Sequence, residues 1–140
     1  MKTKKLVVKS RTENLSKIRD FVSSNASEAG FNKDEIDEII LAVDEACTNV
    51  IKHAYKYSPE GDIRIKIKFN KSAFTINIED DGVSFNPDVV TAPDLQKYYR
   101  EHRVGGLGMY LMKTLMDNVE YQSEPGKFNR VSLTKKLKSA

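Results

Sequence analysis

A change of hydrophobic period near residue 60 constrains the fold of this chain more than any other feature. From Ile36 to Ala54 the apolar residues recur at roughly 3.6-residue spacing, which predicts a long amphipathic helix. From Ile63 to Phe69, and again from Phe74 to Ile78, apolar residues alternate with polar ones. This alternation predicts two antiparallel strands that share one apolar face. The chain is therefore expected to bury the apolar stripe of a helix against one face of a sheet.

Weaker signals predict the other elements and their ends. Ser10-x-x-Glu13 and Asn32-x-x-Glu35 both have the capping-box spacing that is typical of a helix start. The predicted elements, in chain order, are a strand at 4–9, a helix ending at Gly30, a helix continuing to about Tyr55, the two alternating strands, a helix at about 107–117, and strands at 119–123 and 131–137.

The order of these elements, β-α-α-β-β-loop-α-β-β, predicts an α+β fold in two layers. Helices that pack as a group should cover one face of a mixed, mainly antiparallel sheet, giving a two-layer sandwich. A chain of 140 residues has the length of one compact domain, and we expect residues 1–140 to form it. Arg64, Lys66 and Lys68 would then lie on the sheet face away from the helices, where they meet water or a partner.

Composition excludes several classes of protein. The longest uninterrupted apolar run, Ile39 to Val43, is far shorter than the roughly 20 residues of a membrane-spanning helix. The N-terminus has too short an apolar run for a signal peptide, and the lone Cys47 cannot form an internal disulfide, so a cytoplasmic protein is expected. The two histidines and this cysteine form no metal-ligand cluster. A net charge of +3 is too small to indicate a nucleic-acid-binding protein.

Three polar segments are candidates for a functional site. Glu45, Asn49 and His53 recur at every fourth position of the long helix and form one stripe. Glu79-Asp80-Asp81-Gly82 follows a strand, and Gly105-Gly106-Leu107-Gly108 opens the third helix, where glycines let backbone amides approach a phosphate. Taken singly, each segment also has an ordinary structural explanation: a solvated stripe, a turn and a hinge.

In combination, and in this order, the segments resemble a known set of nucleotide-binding motifs. They read Glu45-Ala46-Cys47-Thr48-Asn49-Val50-Ile51-Lys52-His53-Ala54-Tyr55, Asp80-x-Gly82-x-Ser84-Phe85 and Gly105-Gly106-Leu107-Gly108-Met109-Tyr110-Leu111. They are similar to the N, G1 and G2 boxes of the GHKL (Bergerat-fold) ATPases, and more closely to those of the bacterial anti-sigma-factor serine kinases. The resemblance extends from about Lys5 to Leu137.

The resemblance implies a site for ATP and Mg²⁺. Asn49 would coordinate the Mg²⁺ that bridges the phosphates, and Glu45 would be the general base or a carboxylate that orients water. Asp80 would accept a hydrogen bond from the adenine amino group, and Gly82 would leave space for the base. Lys52 stands where related histidine kinases have a lysine that contacts phosphate.

The resemblance also assigns the phosphate end and the cover of the site. Backbone amides at Gly106 and Gly108, with Leu107 between them, would meet the phosphates, and the segment 85–104 would be a lid over ATP. Two positions depart from the family pattern. Ser84 replaces a glycine, and Asn129-Arg130-Val131 stands where many members have a threonine that supports the adenine-binding aspartate. His53 matches a family position that is expected to be structural.

The function implied by the resemblance is an ATP-dependent serine/threonine protein kinase that is also an anti-sigma regulatory factor. It would phosphorylate a small antagonist (anti-anti-sigma) protein and sequester a sigma factor or similar regulator, with no direct nucleic-acid or membrane partner and with a homodimer as one assembly. The alternative is an ATP-gated protein-binding module without kinase activity. A detached histidine-kinase catalytic domain is disfavoured because no helix with a phosphoacceptor histidine is expected before the domain. Nucleic-acid binding is disfavoured because the basic strand has no interleaved surface aromatics.

Overall fold

The structure is a computed structural model that describes residues 1–84 and 105–138, with the backbone alone for 105–109. In these ranges five strands and three α-helices follow the predicted order. They are β1 (Lys2–Lys9), α1 (Leu15–Ala29), α2 (Lys33–Asn49), β2 (Asp62–Phe69), β3 (Ala73–Asp80), α3 (Gly105–Leu115), β4 (Asn118–Glu124) and β5 (Phe128–Lys136). A 3₁₀ turn, Thr12–Asn14, precedes α1, and a π-helical turn, Val50–Ala54, follows α2. The predicted lid at 85–104 lies outside the described residues.

The strands form one sheet in the order β1-β2-β3-β5-β4. All four observed pairings are antiparallel, so within the described ranges the sheet is wholly antiparallel rather than mixed. The pairing of β3 with β5 places Asp80 opposite Asn129. This register brings the end of β3 next to the start of the last strand.

The core lies between the helices and one face of the sheet. Helix α2 lies between α1 and α3 and contacts both. Phe31 packs edge-on against Phe74 with ring centroids 5.5 Å apart. The alternating residues of β2 and β3 that the period of two predicted to face the helices are all buried: Ile63, Ile65, Ile67, Phe69, Phe74, Ile76 and Ile78. The predicted α+β two-layer architecture is confirmed.

Two helix boundaries follow the predicted local chemistry. Gly30 ends α1 with a φ of 110°, a left-handed conformation that glycine adopts without a side-chain clash. At the start of α2, Asn32 Oδ1 accepts a hydrogen bond from Glu35 N at 2.9 Å. Glu35 Oε1 in turn accepts from Asn32 N at 3.1 Å, which completes the predicted capping box.

The other predicted capping box, at Ser10 and Glu13, is wrong. Ser10 is buried, and its hydroxyl donates to Ser58 O at 2.5 Å and accepts from Gly61 N at 3.1 Å. Helix α1 begins later, after the 3₁₀ turn, and its N-cap Asn14 makes no side-chain capping bond. The Ser10 hydroxyl instead forms hydrogen bonds with backbone groups of the turn before β2. A local spacing pattern carries no information about such a distant partner.

The second helix changes its geometry near its end. It is α-helical only to Asn49, and the following π turn closes with Tyr55 N donating to Val50 O at 3.0 Å. The added residue in this turn alters the helical phase on which the predicted stripe depended. Asn49, which precedes this turn, is only 5% exposed, whereas His53 within it is exposed.

Helix α3 begins two residues earlier than predicted, so Gly105 and Gly106 belong to its first turn. It ends at Leu115 rather than near residue 117. Across the described ranges, none of the helices has both the length and the apolar character that crossing a membrane requires.

Replacing Asn32 by alanine should lower the free energy of unfolding by about 1 kcal/mol, because the Glu35 amide would lose its capping acceptor. Denaturant unfolding followed by circular dichroism measures this loss. The control is Lys33→Ala, which changes an exposed side chain without a hydrogen bond or ion pair in the described ranges. It should cost less than about 0.5 kcal/mol. Equal losses in the two variants would contradict the capping role.

Candidate functional site

The predicted site residues lie at the ends of two neighbouring elements. Asn49 is the last residue of α2, and Asp80 is the last residue of β3. Their exposed fractions are 5% and 2%. Glu45, one turn before Asn49, is half-buried, as is Lys52 in the π turn. Polar side chains are costly to bury unless they are paired. The two element ends therefore mark a region where the fold holds polar groups out of water.

A backbone contact joins these two elements. Val83 N donates to Ala54 O at 2.8 Å, so the segment after β3 lies against the end of the π turn. A Cβ atom on Gly82 would lie 2.3 Å from the same carbonyl oxygen. Because that oxygen belongs to the backbone, it cannot rotate away as a side chain would. In the structure Gly82 thus makes room for Ala54, and its role in leaving space for a base stays a prediction.

Tyr55 also stabilises this junction, through contacts that the sequence motifs do not indicate. Its hydroxyl donates to Asp62 O at 2.7 Å and accepts from Asp81 N at 2.8 Å. It therefore ties the end of the π turn both to the start of β2 and to the residue after Asp80. The ring packs closely on Gly61, where a Cβ would lie 2.4 Å from a ring carbon. The Asp81 partner is 26 residues away, so no short motif could signal this contact.

Asp80 is held through one of its two carboxylate oxygens. Oδ1 accepts hydrogen bonds from Asn129 Nδ2 at 2.8 Å and from Gly82 N at 2.9 Å. Asn129 lies opposite Asp80 on β5 and is itself only 7% exposed. The supporting contact that the sequence analysis associated with a threonine is therefore made by an asparagine. The sequence locates the stretch Asn129-Arg130-Val131 at this position, and the strand register identifies Asn129 as the residue that makes the contact.

The other oxygen, Oδ2, is the one available to a ligand. It accepts no hydrogen bond within the described ranges. No fully buried side-chain oxygen or nitrogen in these ranges lacks a partner, so Oδ2 must still reach the surface. Burial raises the pKa of Asp80, and the hydrogen bonds from Asn129 and Gly82 oppose that rise. The result is a buried acceptor that is open on one side, as a ligand with an exocyclic amino group requires.

The neighbouring carboxylate, Asp81, is engaged elsewhere. Arg64 donates to it through both terminal nitrogens, at 2.7 and 2.9 Å, and also approaches Glu79 at 3.5 Å. This bidentate pairing holds the pKa of Asp81 below its usual range. Arg64, which was expected to meet water or a partner, is bound within the chain. Of two adjacent aspartates, one is neutralised and the other is open to a ligand.

Glu45 has the electrostatic surroundings of a proton acceptor. Burial raises the pKa of its carboxyl, and the nearby charge of Lys52 partly opposes the rise. A carboxylate with a raised pKa is a more basic group than an ordinary glutamate, and it still ionises at neutral pH when the shift is moderate. The site therefore places a candidate base one helical turn before Asn49.

The donor atoms around Asn49 fit Mg²⁺ that is shared with a ligand. The amide oxygen of Asn49 and the carboxylate of Glu45 are hard oxygen donors. Magnesium is usually held by one or two protein groups together with water and substrate phosphates. In the described part of the chain, no three His, Cys, Asp or Glu side chains are grouped so that they could hold a metal by themselves. The residues present thus suit a metal that binds with phosphates.

The start of α3 carries the glycines predicted to meet phosphates. Gly105, Gly106 and Gly108 are all in its helical backbone, near the N-terminal end. The first four backbone N–H groups of a helix have no partner within the helix, and the helix dipole favours an anion there. The roles assigned to Gly106, Leu107 and Gly108 stay predictions.

Both the sequence and the fold of this chain are similar to those of known proteins. Residues 8–135 match the family of histidine kinase-like ATPase domains. The chain is 40% identical over 125 residues to serine-protein kinase RsbW of Bacillus subtilis (strain 168), an alignment covering 86% of this chain and 76% of that protein. It is 33% identical over 109 residues to serine-protein kinase RsbW of Listeria monocytogenes, covering 75% of this chain and 69% of the relative.

A solved structure has a related fold. The crystal structure of the RsbU and RsbW domains of a Mycobacterium tuberculosis protein superposes with a TM-score of 0.67 at 13% identity. The superposition covers 96% of this chain but only 32% of that longer chain. At this level of identity the similarity concerns the fold alone.

Gly82→Ala should lower the free energy of unfolding by roughly 1–3 kcal/mol, because the added methyl group meets the Ala54 carbonyl and must displace backbone. Denaturant unfolding measures the loss, and amide exchange at Val83 should become faster as its bond to Ala54 weakens.

Gly126→Ala separates this steric effect from backbone strain. Gly126 has a φ of 81° and nothing within 4 Å of an added Cβ, so its replacement carries the strain of the left-handed region alone. Exchange at Val83 should stay at the wild-type rate in that variant. Unchanged exchange at Val83 in Gly82→Ala as well would contradict the proposed close approach.

Proposed function

Because this chain belongs to the histidine kinase-like ATPase domain family, we propose that it is an ATP-dependent serine/threonine protein kinase and an anti-sigma regulatory factor. The observation that carries this proposal is the buried Asp80, which has one carboxylate oxygen open to a ligand. The Val83–Ala54 hydrogen bond holds the segment after Asp80 against the end of the helix that bears Asn49 and Glu45. An acceptor for a base and oxygen donors for the phosphate end are thereby held in one rigid unit. Curated relatives named serine-protein kinase supply the second support.

The adenine end of the proposed site is built on β3. Asp80 Oδ2 accepts a hydrogen bond from the adenine amino group, while Asn129 and Gly82 hold the other oxygen. Asp81 does not compete for the base because Arg64 occupies it. The base is thus recognised by one buried carboxylate oxygen of fixed orientation.

The phosphate end of the proposed site is built on α2 and α3. Asn49 would hold Mg²⁺, and the backbone amides of Gly106 and Gly108 would meet the phosphates, with Lys52 as a further phosphate contact. Mg²⁺ held there would supply positive charge that offsets the negative charge of the phosphates. In this proposal the segment 85–104 would be the lid over the nucleotide, and residues 1–140 would act as one domain in the cytoplasm.

Phosphoryl transfer in this proposal depends on Glu45. The carboxylate accepts the proton of a serine hydroxyl on the antagonist protein as the serine oxygen attacks the γ-phosphorus. The bond between the γ-phosphorus and the β,γ-bridging oxygen breaks, and ADP leaves. Phosphoryl transfer is mainly a matter of positioning and charge stabilisation, so this small set of residues is sufficient.

The proposed partners are two proteins. One is a small antagonist, or anti-anti-sigma, protein that carries the acceptor serine, and the other is a sigma factor or similar regulator that the chain sequesters. A homodimer is the proposed assembly, with neither nucleic acid nor a membrane as a direct partner. Retention of both protein partners on the immobilised chain in the presence of ATP would support this assignment.

Asp80→Asn should weaken ATP binding by about tenfold or more, because the adenine amino group would lose a charged acceptor. Asn49→Ala should abolish the part of the affinity that EDTA removes from the wild type. Isothermal titration calorimetry with ATP, with and without EDTA, measures both effects.

Asp81→Asn is the matched control for Asp80→Asn. It removes the same charge from the adjacent residue, but that carboxylate is bound to Arg64, so ATP affinity should stay within about twofold of wild type. Equal weakening in the two variants, or no saturable heat from wild type at millimolar ATP, would contradict the site.

Glu45→Gln should lower transfer of labelled γ-phosphate to the retained antagonist by about 10²-fold or more while ATP affinity changes little. Because the pKa of Glu45 is raised, wild-type transfer should decline on acidification at a higher pH than for an ordinary glutamate. The sign follows from the mechanism, since the protonated carboxyl cannot accept the serine proton.

Asp37→Asn, which removes an exposed carboxylate from the same helix, should leave the transfer rate unchanged. Wild-type transfer by Glu45→Gln would remove Glu45 from the mechanism. Tight, ATP-dependent binding of the antagonist without any transfer of label would instead indicate the ATP-gated binding module.

A further inference from the structure

A chain of hydrogen bonds leads from the segment after β3 to Asn129. Ser123 Oγ donates to Asn129 Oδ1 at 2.7 Å, and the hydroxyl oxygens of Ser84 and Ser123 lie 2.8 Å apart. Because the Ser123 proton is used on Asn129, Ser84 must be the donor in its contact with Ser123. The amide oxygen of Asn129 is therefore fixed by a donor that is itself supported.

The amide nitrogen of Asn129 faces acceptors alone. Its Nδ2 lies 2.8 Å from Asp80 Oδ1 and 3.2 Å from both Gly82 O and Val83 O. A reversed amide would place its oxygen against these three oxygens, so the orientation of the side chain is chemically determined. The hydrogen-bond chain thus runs in one direction, from Ser84 through Ser123 and Asn129 to the Asp80 carboxylate.

This direction determines where Asp80 can carry a proton. Both groups that face Oδ1, the Asn129 amide and the Gly82 N–H, are donors. A proton on Oδ1 would have no acceptor there, and only Oδ2 remains for a proton or for a ligand. Asn129 therefore favours an Asp80 that is ionised and that accepts at Oδ2.

We propose that Asn129 is a specificity-determining residue of the nucleobase site, because it holds Asp80 as an ionised acceptor and thereby selects purines with a 6-amino group over purines with a 6-carbonyl group. This inference rests on the adenine-nucleotide site proposed above.

Ionisation decides the preference through simple hydrogen-bond chemistry. An ionised Oδ2 accepts from a 6-amino group and repels a 6-carbonyl oxygen, whereas a protonated Oδ2 donates to the carbonyl. Burial raises the pKa of Asp80 and so favours the protonated form, while the Asn129 hydrogen bond lowers that pKa. Without the Asn129 donor, neutral Asp80 becomes more common and the base preference relaxes.

The test compares ADP with inosine diphosphate (IDP), which carries a carbonyl in place of the 6-amino group. Calorimetry on the full chain should show that wild type prefers ADP by about 10²-fold. Asn129→Leu and Asn129→Ala, which both remove the donor to Asp80, should each lower the ADP-to-IDP affinity ratio by about tenfold or more. The pH at which ADP affinity is lost on acidification should rise in Asn129→Leu, because Asp80 loses a hydrogen bond that lowers its pKa.

Asn77→Ala is the matched control. Asn77 on β3 accepts from Ser132 on β5 at 2.7 Å, so it reproduces a serine–asparagine contact on the sheet face that is remote from Asp80. Its affinity ratio and its pH midpoint should equal those of wild type. If Asn129 served only to stabilise the sheet, the Asn77 and Asn129 variants should give the same affinity ratio and the same pH midpoint.

Ser123→Ala covers the case in which the Asn129 variants do not fold. Ser123 is exposed, so its replacement should be tolerated, and the loss of its bond should lower the ADP-to-IDP ratio by about threefold. A wild-type ratio and pH midpoint in a folded Asn129 variant, or an unchanged ratio in Ser123→Ala when those variants are unfolded, would overturn the inference alone. A wild-type protein that binds neither nucleotide would contradict the proposed function and the inference with it.

Discussion

The close approach of Gly82 to the carbonyl of Ala54 is the contact on which the rest of the candidate site depends. The Val83–Ala54 hydrogen bond and the Tyr55 hydroxyl hold the end of β3 against the end of the long second helix. Side chains on the two elements then keep a fixed relation, which loops alone could not enforce. A ligand that needs a base acceptor at one end and oxygen donors at the other meets a preformed arrangement.

A second constraint is the division of charge between adjacent aspartates. Asp81 is exposed and paired with Arg64, whereas Asp80 is buried, with one oxygen held by Asn129 and the other open. Asp80 ends β3 with a buried side chain, whereas the side chain of Asp81, just after the strand, reaches Arg64 on β2, so the same residue type acquires different roles. The Arg64 guanidinium binds the Asp81 carboxylate, whereas the Asn129 side chain and the Gly82 N–H donate hydrogen bonds to the Asp80 carboxylate.

The helix side of the site also depends on a partly buried carboxylate. Glu45 is basic because the fold half-buries it, and Lys52 limits that effect. Glu45 and Asp80 are thus two carboxylates whose pKa values are raised by burial, one beside a cation and one beside amide donors. Their different neighbours are consistent with the different tasks proposed for them, proton transfer and base recognition.

The sequence by itself determined the layers, the order of the elements and the start of α2, because hydrophobic period and capping chemistry are local properties of the chain. It also indicated Asn49 and Asp80 through the motifs that contain them. Only the tertiary structure decided that Asn129 supports Asp80 and that Ser10 binds the turn before β2 instead of capping a helix. Local patterns state which faces are buried, but strand register and long-range packing choose the atom that satisfies each buried polar group.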